Sequence, residues 1–147
     1  MTKTGAENTQ PAALTAWQKA FFTKDARVFA EGFAENVVLE ASSLRKPVGG
    51  RDRVRQILWT AAEIYESLVF TDRASSGQRI YVEWVATAFG GKQLRGSTII
   101  STNPEGKINH VVVQHRPLDE LLAFSAEMGK RMDGVEDPEC FWKETPR

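Results

Sequence analysis

The sequence predicts an α+β fold: a strongly curved antiparallel sheet wraps around N-terminal helices to form a cone, and a C-terminal helix follows. Three alternating segments between residues 79 and 117 indicate consecutive antiparallel strands. They are separated by Gly90-Gly91, which suits a tight hairpin, and by Asn103 to Gly106, which suits a type I turn closed by glycine. Helical segments flank this block and do not interrupt it, as is typical of α+β domains.

The N-terminal region opens with a polar stretch and continues with two helices. Residues 1–10 are small and polar, without periodicity, and are predicted to be disordered. A helix is expected from Pro11, and its apolar stripe consists of Leu14, Trp17 and Phe21. Asp25 can cap a second, shorter helix.

The middle of the chain contains a short strand and the clearest helix. Residues 37–41 are largely β-branched or apolar and predict a strand, and residues 67–73 predict another. The helix over residues 51–66 has a continuous apolar stripe, formed by Val54, Ile57, Leu58, Ala61, Ile64 and Tyr65. Trp59 lies off this stripe. It either packs under a neighbouring loop or over an arginine stem, or contacts a partner.

Side-chain alternation divides the three-strand block into two faces. A hairpin centred between Gly90 and Gly91 places Glu83 opposite Thr98, and the following turn places Thr98 opposite Val111. One face, interpreted as the pocket face, then carries Tyr81, Glu83, Gly96, Thr98, Val113 and His115. The other carries Trp84, Ile99 and Val112, which a second copy of the chain could cover, so we expect a homodimer through this outer face.

The C-terminal region begins with a helix that starts at Pro117. Residues 133–147 form a polar tail with one apolar patch, Phe141-Trp142. The sequence contains no internal repeat and no linker, so residues 11–132 are predicted to be one domain.

Composition and charge argue against several classes of function. The chain has 147 residues with 19 basic and 19 acidic side chains, and this balance argues against binding nucleic acid or an acidic membrane. No segment approaches the length of a membrane span, and the N-terminus lacks the apolar run of a signal peptide. The single cysteine, Cys140, fits a reducing compartment, and a cytoplasmic location is expected.

No metal or other cofactor is predicted. His110 and His115 face opposite sides of one strand and cannot share a metal within the chain. The Gly-Gly pairs at 49–50 and 90–91 lack the flanking residues of a phosphate-binding loop.

Several segments, in this order and spacing, resemble the nuclear transport factor 2-like superfamily. They are ALTAWQKAFF with KDARVFAEGFAENVVLEAS, GGRDRVRQILW, VEWVATA and NPEGKINHVVVQHRPLDELLAF, and they span roughly residues 12–128. The superfamily includes ketosteroid isomerase, limonene epoxide hydrolase, scytalone dehydratase and SnoaL-like polyketide cyclases. The resemblance implies a conical pocket and commonly a homodimer, but no single activity.

The functional residues of the ketosteroid isomerases do not carry over to this sequence. Their aspartate base matches Ala41, or Ser42 with a small shift, and their oxyanion-hole aspartate matches Thr98. Their first-helix tyrosine matches Trp17. Since these residues supply neither the base nor the acidic donors, we do not expect ketosteroid isomerase activity.

Glu83 and His115 are the candidate catalytic residues. On a shared pocket face they could form a general acid/base pair, and the polyketide cyclases place an acid/base residue near the position of His115. The alternative is that Glu83 lies on an exposed flank and His115 binds a neighbouring loop. The predicted ligand-binding residues are Trp17, Phe21, Leu58, Tyr81, Thr98 and Val113, although core packing is the stronger interpretation for Trp17 and Phe21.

Two functions remain open at this point. The first is a SnoaL-like pocket protein that binds a small, largely apolar molecule. Isomerisation, dehydration and cyclisation of that molecule are the candidate reactions. Gly96 favours it, because a glycine leaves room in the middle of the sheet. The second is a non-catalytic dimeric binding or assembly module, which associates through Trp84, Trp59 or Phe141-Trp142.

Overall fold

The structure, a computed structural model, describes residues 10–143. Nearly all of the segment predicted to be disordered therefore lies outside the described residues, as does the end of the predicted tail. The α+β prediction is confirmed, because helices and one sheet follow each other in the expected order. The helices are α1 (Ala12–Thr23), α2 (Ala26–Glu31), α3 (Arg51–Ile64) and α4 (Leu118–Arg131), with a short 3-10 turn at Pro138–Cys140. The strands are β1 (Phe33–Ala41), β2 (Val48–Gly49), β3 (Ser67–Ser76), β4 (Arg79–Ala88), β5 (Lys92–Thr102) and β6 (Ile108–Arg116).

The six strands form one sheet in the order β2-β1-β6-β5-β4-β3. Strands β3 to β6 are antiparallel neighbours, as predicted, but β1 runs parallel to β6, with Leu39 beside Val111 and Ala41 beside Val113. The expectation of a purely antiparallel sheet is therefore wrong. The long connection between β1 and β6, which contains one helix and four strands, allows the parallel arrangement, whereas a short hairpin would not.

The β5–β6 hairpin preserves the predicted faces, although its pairing differs. The turn forms as expected: Gly106 N–H donates to the Asn103 carbonyl oxygen at 2.9 Å, and the Asn103 side chain accepts from the Glu105 and Lys107 amides. The turn pairs Thr102 with Ile108, one residue away from the predicted register, and the irregularity between Ser101 and Thr102 adds one more, so that Thr98 lies beside Val113. A shift of two leaves every side chain on its predicted face.

The β4–β5 hairpin is where the predicted faces are wrong. Ala88 pairs with Lys92, so the loop consists of residues 89–91 and is one residue longer than the assumed Gly-Gly turn. Phe89, Gly90 and Gly91 all have positive φ, and the Glu66 carboxylate accepts hydrogen bonds from both glycine amides, at 2.7 and 3.0 Å. This three-residue loop shifts the β4–β5 pairing by one residue. Each side chain of β4 therefore lies on the face of the sheet opposite to the one predicted.

Trp84 is the clearest consequence of the reversed β4 strand. It pairs with Gly96 across the β4–β5 ladder and lies in the core, with 4% of its surface exposed. A Cβ on Gly96 would overlap the Trp84 indole and the Gln114 carbonyl oxygen. The space that Gly96 leaves in the sheet is thus filled by a neighbouring ring.

The core lies between the concave face of the sheet and the helices. α3 packs on β1 and α4 packs on β5 and β6. Side chains from all four helices and from strands β1, β4, β5 and β6 contribute to one continuous apolar cluster. Trp59 lies beside this core: its indole N–H donates to the Lys24 carbonyl oxygen at 3.0 Å, which agrees with packing under a neighbouring loop.

Part of the predicted tail belongs to the packed domain. Cys140 and Phe141 are almost completely buried, and Phe141 lies against Gly129 of α4. Arg53 forms an ion pair with Glu136, and Lys46 forms one with Asp137. The packed domain therefore continues beyond residue 132, because residues 136–141 have partners on the loop before α3, on α3 itself and on α4.

Candidate functional site

An open cleft of about 820 Å³ lies between α1, the C-terminal end of α3 and the edge strand β3. Four of its lining residues, Phe21, Tyr65, Leu68 and Phe70, also line a cavity inside the cone. That inner cavity has a volume of only about 30 Å³. The cone is therefore largely filled, with space for about one water molecule at its centre and room for a ligand at its mouth.

Most of the predicted pocket residues do meet at the inner cavity. It is lined by Trp17 and Phe21 of α1, Leu58 of α3, and Thr98, Val113 and His115 of the sheet. Ala41 lies there too, so the positions that the resemblance matched to ketosteroid isomerase polar groups, Trp17, Ala41 and Thr98, converge on one cavity.

Glu83 and Tyr81 do not reach this cavity. Both are exposed on the outer face of β4, where Glu83 pairs with Ser97 and Tyr81 with Ile99. The prediction that Glu83 and His115 share a face is wrong, because the extra loop residue at Phe89 reverses β4. The acid/base pair that rested on this face does not form within one chain.

A different polar cluster surrounds His115. Its Nδ1 lies 3.0 Å from Ser42 Oγ, and its Nε2 lies 3.2 Å from the Tyr65 hydroxyl. Ser42 Oγ also accepts a hydrogen bond from the His115 backbone N–H at 2.9 Å. Ser42 is exposed whereas Tyr65 is buried, so the imidazole links the surface to the inner cavity.

Aromatic rings hold the imidazole and the phenol in place. The His115 ring makes an edge contact with Trp84 at 5.4 Å and a tilted contact with Phe124 at 5.0 Å between centroids. Tyr65 stacks on Phe124 at 5.3 Å. The Trp84 indole N–H is itself satisfied by Thr98 Oγ1 at 3.0 Å. These contacts restrict rotation of both rings, so the cluster is preorganised.

Burial decides the ionisation of this cluster. It lowers the pKa of His115 to about 4, because the charged imidazolium loses hydration among apolar rings. It also raises the pKa of Tyr65 above its ordinary value of 10.0, because the phenolate would be desolvated. Both groups are neutral at pH 7, and the cluster offers hydrogen bonds without a net charge.

The inner cavity and the cleft differ in charge. No Asp, Glu, Lys or Arg is among the described residues that line the inner cavity. The cleft is bordered by Lys19, Lys24 and Glu66, of which Lys24 donates to the Tyr65 carbonyl oxygen at 2.9 Å and Glu66 binds the β4–β5 loop. The charged side chains therefore border the open cleft and not the inner cavity.

Sequence reasoning missed the role of Tyr65. It placed Tyr65 on the apolar stripe of the α3 helix without asking what satisfies its hydroxyl. A buried tyrosine usually finds a hydrogen-bond partner, so a tyrosine in an apolar stripe signals a polar group inside the core. The sequence indicates Ser42 only as a position that matches the aspartate base of the ketosteroid isomerases, and not as a partner of His115.

Within residues 10–143, no group of three or more His, Cys, Asp or Glu side chains converges as metal ligands would. None of the helices in this part of the chain has the length and apolar character needed to cross a membrane.

Comparison with known families identifies one match over most of the chain. A family model described as a SnoaL-like domain matches residues 14–111. None of the curated proteins with which the sequence was compared matches it significantly.

Solved structures with the same fold include an uncharacterised protein, an isomerase and a designed protein. An uncharacterised protein with a cystatin-like fold from Silicibacter pomeroyi has a TM-score of 0.81 and 20% identity, covering 87% of this chain and 90% of its own. A steroid delta-isomerase from Pseudomonas aeruginosa has a TM-score of 0.77 and 26% identity, covering 84% and 90%. A de novo designed protein with a curved β-sheet has a TM-score of 0.65 and 13% identity, covering 76% of this chain and 93% of its own. A designed chain adopts this fold, so the fold alone indicates no function.

Proposed function

The chain belongs to the SnoaL-like domain family, and from this premise we propose that it binds a small, largely apolar molecule at the mouth of its cone. The observation that carries the proposal is the continuity between the open cleft and the inner polar cluster, through Phe21, Tyr65, Leu68 and Phe70. An apolar cleft with a few convergent polar groups is the usual form of a small-molecule site.

The sizes of the two spaces determine how a ligand would lie. The cleft, at about 820 Å³, has the volume of a typical ligand site, whereas the inner cavity, at about 30 Å³, accepts only a small group. The apolar body of the ligand would therefore contact Phe21, Leu68 and Phe70 in the cleft. Only one end of the ligand would reach towards His115.

Acid/base chemistry on such a ligand, of the isomerase, dehydratase or cyclase type, would use Tyr65 and His115 and not Glu83. The 26% identity to a steroid delta-isomerase supports this class of reaction. Trp17, Ala41 and Thr98, which the resemblance matches to the polar groups of the ketosteroid isomerases, do not carry their acidic groups, so a mechanism like theirs is not proposed.

Binding can be tested with isopropenylnaphthalene, a neutral aromatic hydrocarbon, by isothermal titration calorimetry. Leu68→Lys places a charge in the cleft and is expected to weaken binding at least about tenfold, since the ligand would desolvate the ammonium group. Leu122→Lys is the matched control, because Leu122 is a half-buried leucine on α4 that lies outside the cleft. Its affinity should equal that of the parent protein.

Either of two results would contradict the proposal. One is the absence of any binding heat with the parent protein up to the solubility of the probe. The other is an unchanged affinity in Leu68→Lys, which would show that the probe does not occupy the cleft.

A second proposal concerns association, in the form of a homodimer through the outer face of the sheet. Ile99, Val112 and Val85 are half-buried on that face and would be covered by a second copy. Trp84 and Phe141, which the sequence suggested for association, are buried, and the Trp59 indole N–H donates to the Lys24 carbonyl oxygen.

Light scattering tests the homodimer directly. The parent protein should have the mass of a dimer, and the double variant Ile99→Lys with Val112→Lys should have the mass of a monomer with unchanged circular dichroism. A monomeric parent protein would exclude this interface.

A further inference from the structure

The open cleft combines exposed apolar side chains with two lysines. Phe22 and Val69, which are 90% and 59% exposed, line it and are among the most exposed large apolar residues of the described chain. Lys19 of α1 and Lys24, the residue that ends this helix, border the same space. A surface that is apolar on one side and cationic on the other fits a ligand with an apolar body and a negatively charged end.

Several hydrogen bonds hold Lys24 where α1 and α3 meet. Its backbone has a φ of 54°, and its N–H donates to the Ala20 carbonyl oxygen at 3.0 Å. Its carbonyl oxygen accepts from the Trp59 indole N–H at 3.0 Å, and its Nζ donates to the Tyr65 carbonyl oxygen at 2.9 Å. The Lys24 ammonium is therefore fixed beside the cleft through both the backbone and the side chain.

The surroundings of this ammonium leave it able to bind an anion. Tyr65 is the C-cap of α3, and the negative end of the helix dipole stabilises a cation there. An ammonium has three N–H donors, and the bond to Tyr65 uses one of them. Glu66 is the only carboxylate among the described residues that line the cleft, and its oxygens already accept from the amides of Gly90 and Gly91. Lys24 can therefore donate to a ligand as well.

We propose that Lys24, assisted by Lys19, binds the negatively charged head of an amphiphile, so that the ligand of the cleft is an organic carboxylate with an apolar body. The inference rests on the proposed function, because the body of the ligand must occupy the cleft. The described lining of the inner cavity contains no Asp, Glu, Lys or Arg, and a carboxylate there would lose its hydration without gaining a counter-charge. The carboxylate therefore stays at the lysines, and the apolar end points towards the inner cavity.

The two lysines should contribute unequally. Lys19 is exposed on the helix surface, and ion pairs with exposed lysines contribute little because water and salt screen them. The Lys24 ammonium is already held by the Tyr65 carbonyl oxygen, so less side-chain entropy is lost when a carboxylate binds it. Lys24 should therefore account for most of the preference for an anion.

Three naphthalene probes with the substituent at the same ring position test this preference by isothermal titration calorimetry at neutral pH. Naphthylacetate carries a carboxylate, naphthylacetamide is its neutral isostere, and naphthylethylammonium carries the opposite charge. We expect the parent protein to bind naphthylacetate about fivefold more tightly than naphthylacetamide, the effect of one partly exposed ion pair. Naphthylethylammonium should bind most weakly, because the lysines repel it.

Lys24 and Lys107 supply matched variants, because each ammonium donates to a backbone carbonyl oxygen. The acceptor is Tyr65 at 2.9 Å for Lys24 and Glu31 at 3.2 Å for Lys107, which lies outside the cleft. Lys24→Met should remove the preference for naphthylacetate and retain the affinity for naphthylacetamide. Lys107→Met should keep the preference at its parent value, and Lys19→Met should reduce it by less than about twofold.

The salt dependence of binding to the parent protein provides a measurement that does not depend on any variant folding. Raising the salt concentration from about 0.01 M to about 1 M shortens the Debye length from about 30 Å to about 3 Å. The ratio of the affinities for naphthylacetate and naphthylacetamide should therefore fall towards one. The affinity for isopropenylnaphthalene, which carries no charge, should not fall.

The outcomes separate this inference from the proposed function. Equal affinities for naphthylacetate and naphthylacetamide at low salt, a preference that persists in Lys24→Met, or a ratio that does not change with salt would overturn the anion site and leave the binding function standing. Failure of isopropenylnaphthalene and of the three other probes to bind would overturn the proposed function, and the anion site with it.

Discussion

The two faces of the sheet carry the same ionisable residue types in opposite surroundings. His115 and His110 lie on the same strand, β6, but His115 faces Tyr65 and the aromatic rings of the core, whereas His110 contacts Glu40 at 2.7 Å on the outer face. The buried side of His115 contacts the neutral Tyr65 hydroxyl, whereas His110 contacts the Glu40 carboxylate near solvent. The position of a residue relative to the core, more than its type, therefore decides which chemistry it can serve.

The largest expected effect follows from removing the ring that fills the inner face. Trp84→Ala should lower the free energy of unfolding by about 3–5 kcal/mol, because it leaves a cavity beside Gly96 and exposes no compensating polar group. Tyr81→Ala, on the same strand and facing outwards, should cost less than about 1 kcal/mol. Urea denaturation of both variants measures the contrast, and equal costs would contradict the assignment of the two faces.

A smaller effect is expected from filling the space that Trp84 occupies. Gly96→Ala should destabilise the protein by about 2–3 kcal/mol, since the added Cβ overlaps the Trp84 indole and the Gln114 carbonyl oxygen. Ser97→Ala, the next residue and on the outer face, is the control and should change stability by less than about 0.5 kcal/mol. The same denaturation experiment measures both, and a neutral Gly96→Ala would mean that Trp84 does not lie on the glycine.

The pH dependence of stability should report the burial of His115. Burial lowers the pKa of His115 to about 4 from 6.5, so the unfolded chain binds a proton on this residue at a higher pH than the folded chain does. Its contribution is therefore complete above about pH 6.5 and is lost as the pH falls towards 4, in total about 2–3 kcal/mol. Glu136, whose pKa is lowered by its hydrogen bond with Arg53, loses its contribution only at lower pH.

Denaturation measured at a series of pH values checks this expectation. His115→Gln should flatten the dependence between pH 6.5 and 4, because it removes the titrating group. If the dependence between pH 6.5 and 4 is unchanged in His115→Gln, the burial assigned to His115 is wrong.

The smallest effect is expected at Glu83. Glu83→Gln should change stability by less than about 0.5 kcal/mol, since the side chain is exposed on the outer face. The affinity for isopropenylnaphthalene should also remain at its parent value. A loss of affinity in this variant would show that the outer face takes part in ligand binding.

Local rules were sufficient for much of the fold. The apolar stripe of α3 and the turn from Asn103 to Gly106 were predicted from periodicity and turn chemistry. The inner residues of β5 and β6 were also placed correctly, although their pairing shifted by two. These features depend on contacts between residues that are close in the sequence, which is why the sequence indicates them.

The candidate site was predicted only in part. Trp17, Leu58, Thr98, Val113 and His115 meet at one cavity, as expected from alternation and helical spacing. The partner of His115 was not predicted, because Tyr65 comes from another element and its approach depends on how α3 packs on the sheet.

The order of the elements, the inner stripe of α3 and the faces of the β5–β6 hairpin follow from the sequence alone, because helices and strands have fixed periods. Only the tertiary structure decided the face of β4. Glu66, at the end of α3, binds the amides of Gly90 and Gly91, and the resulting three-residue loop begins at Phe89. One additional loop residue reverses every side chain of a strand, which is why Trp84 lies in the core and Glu83 lies in solvent.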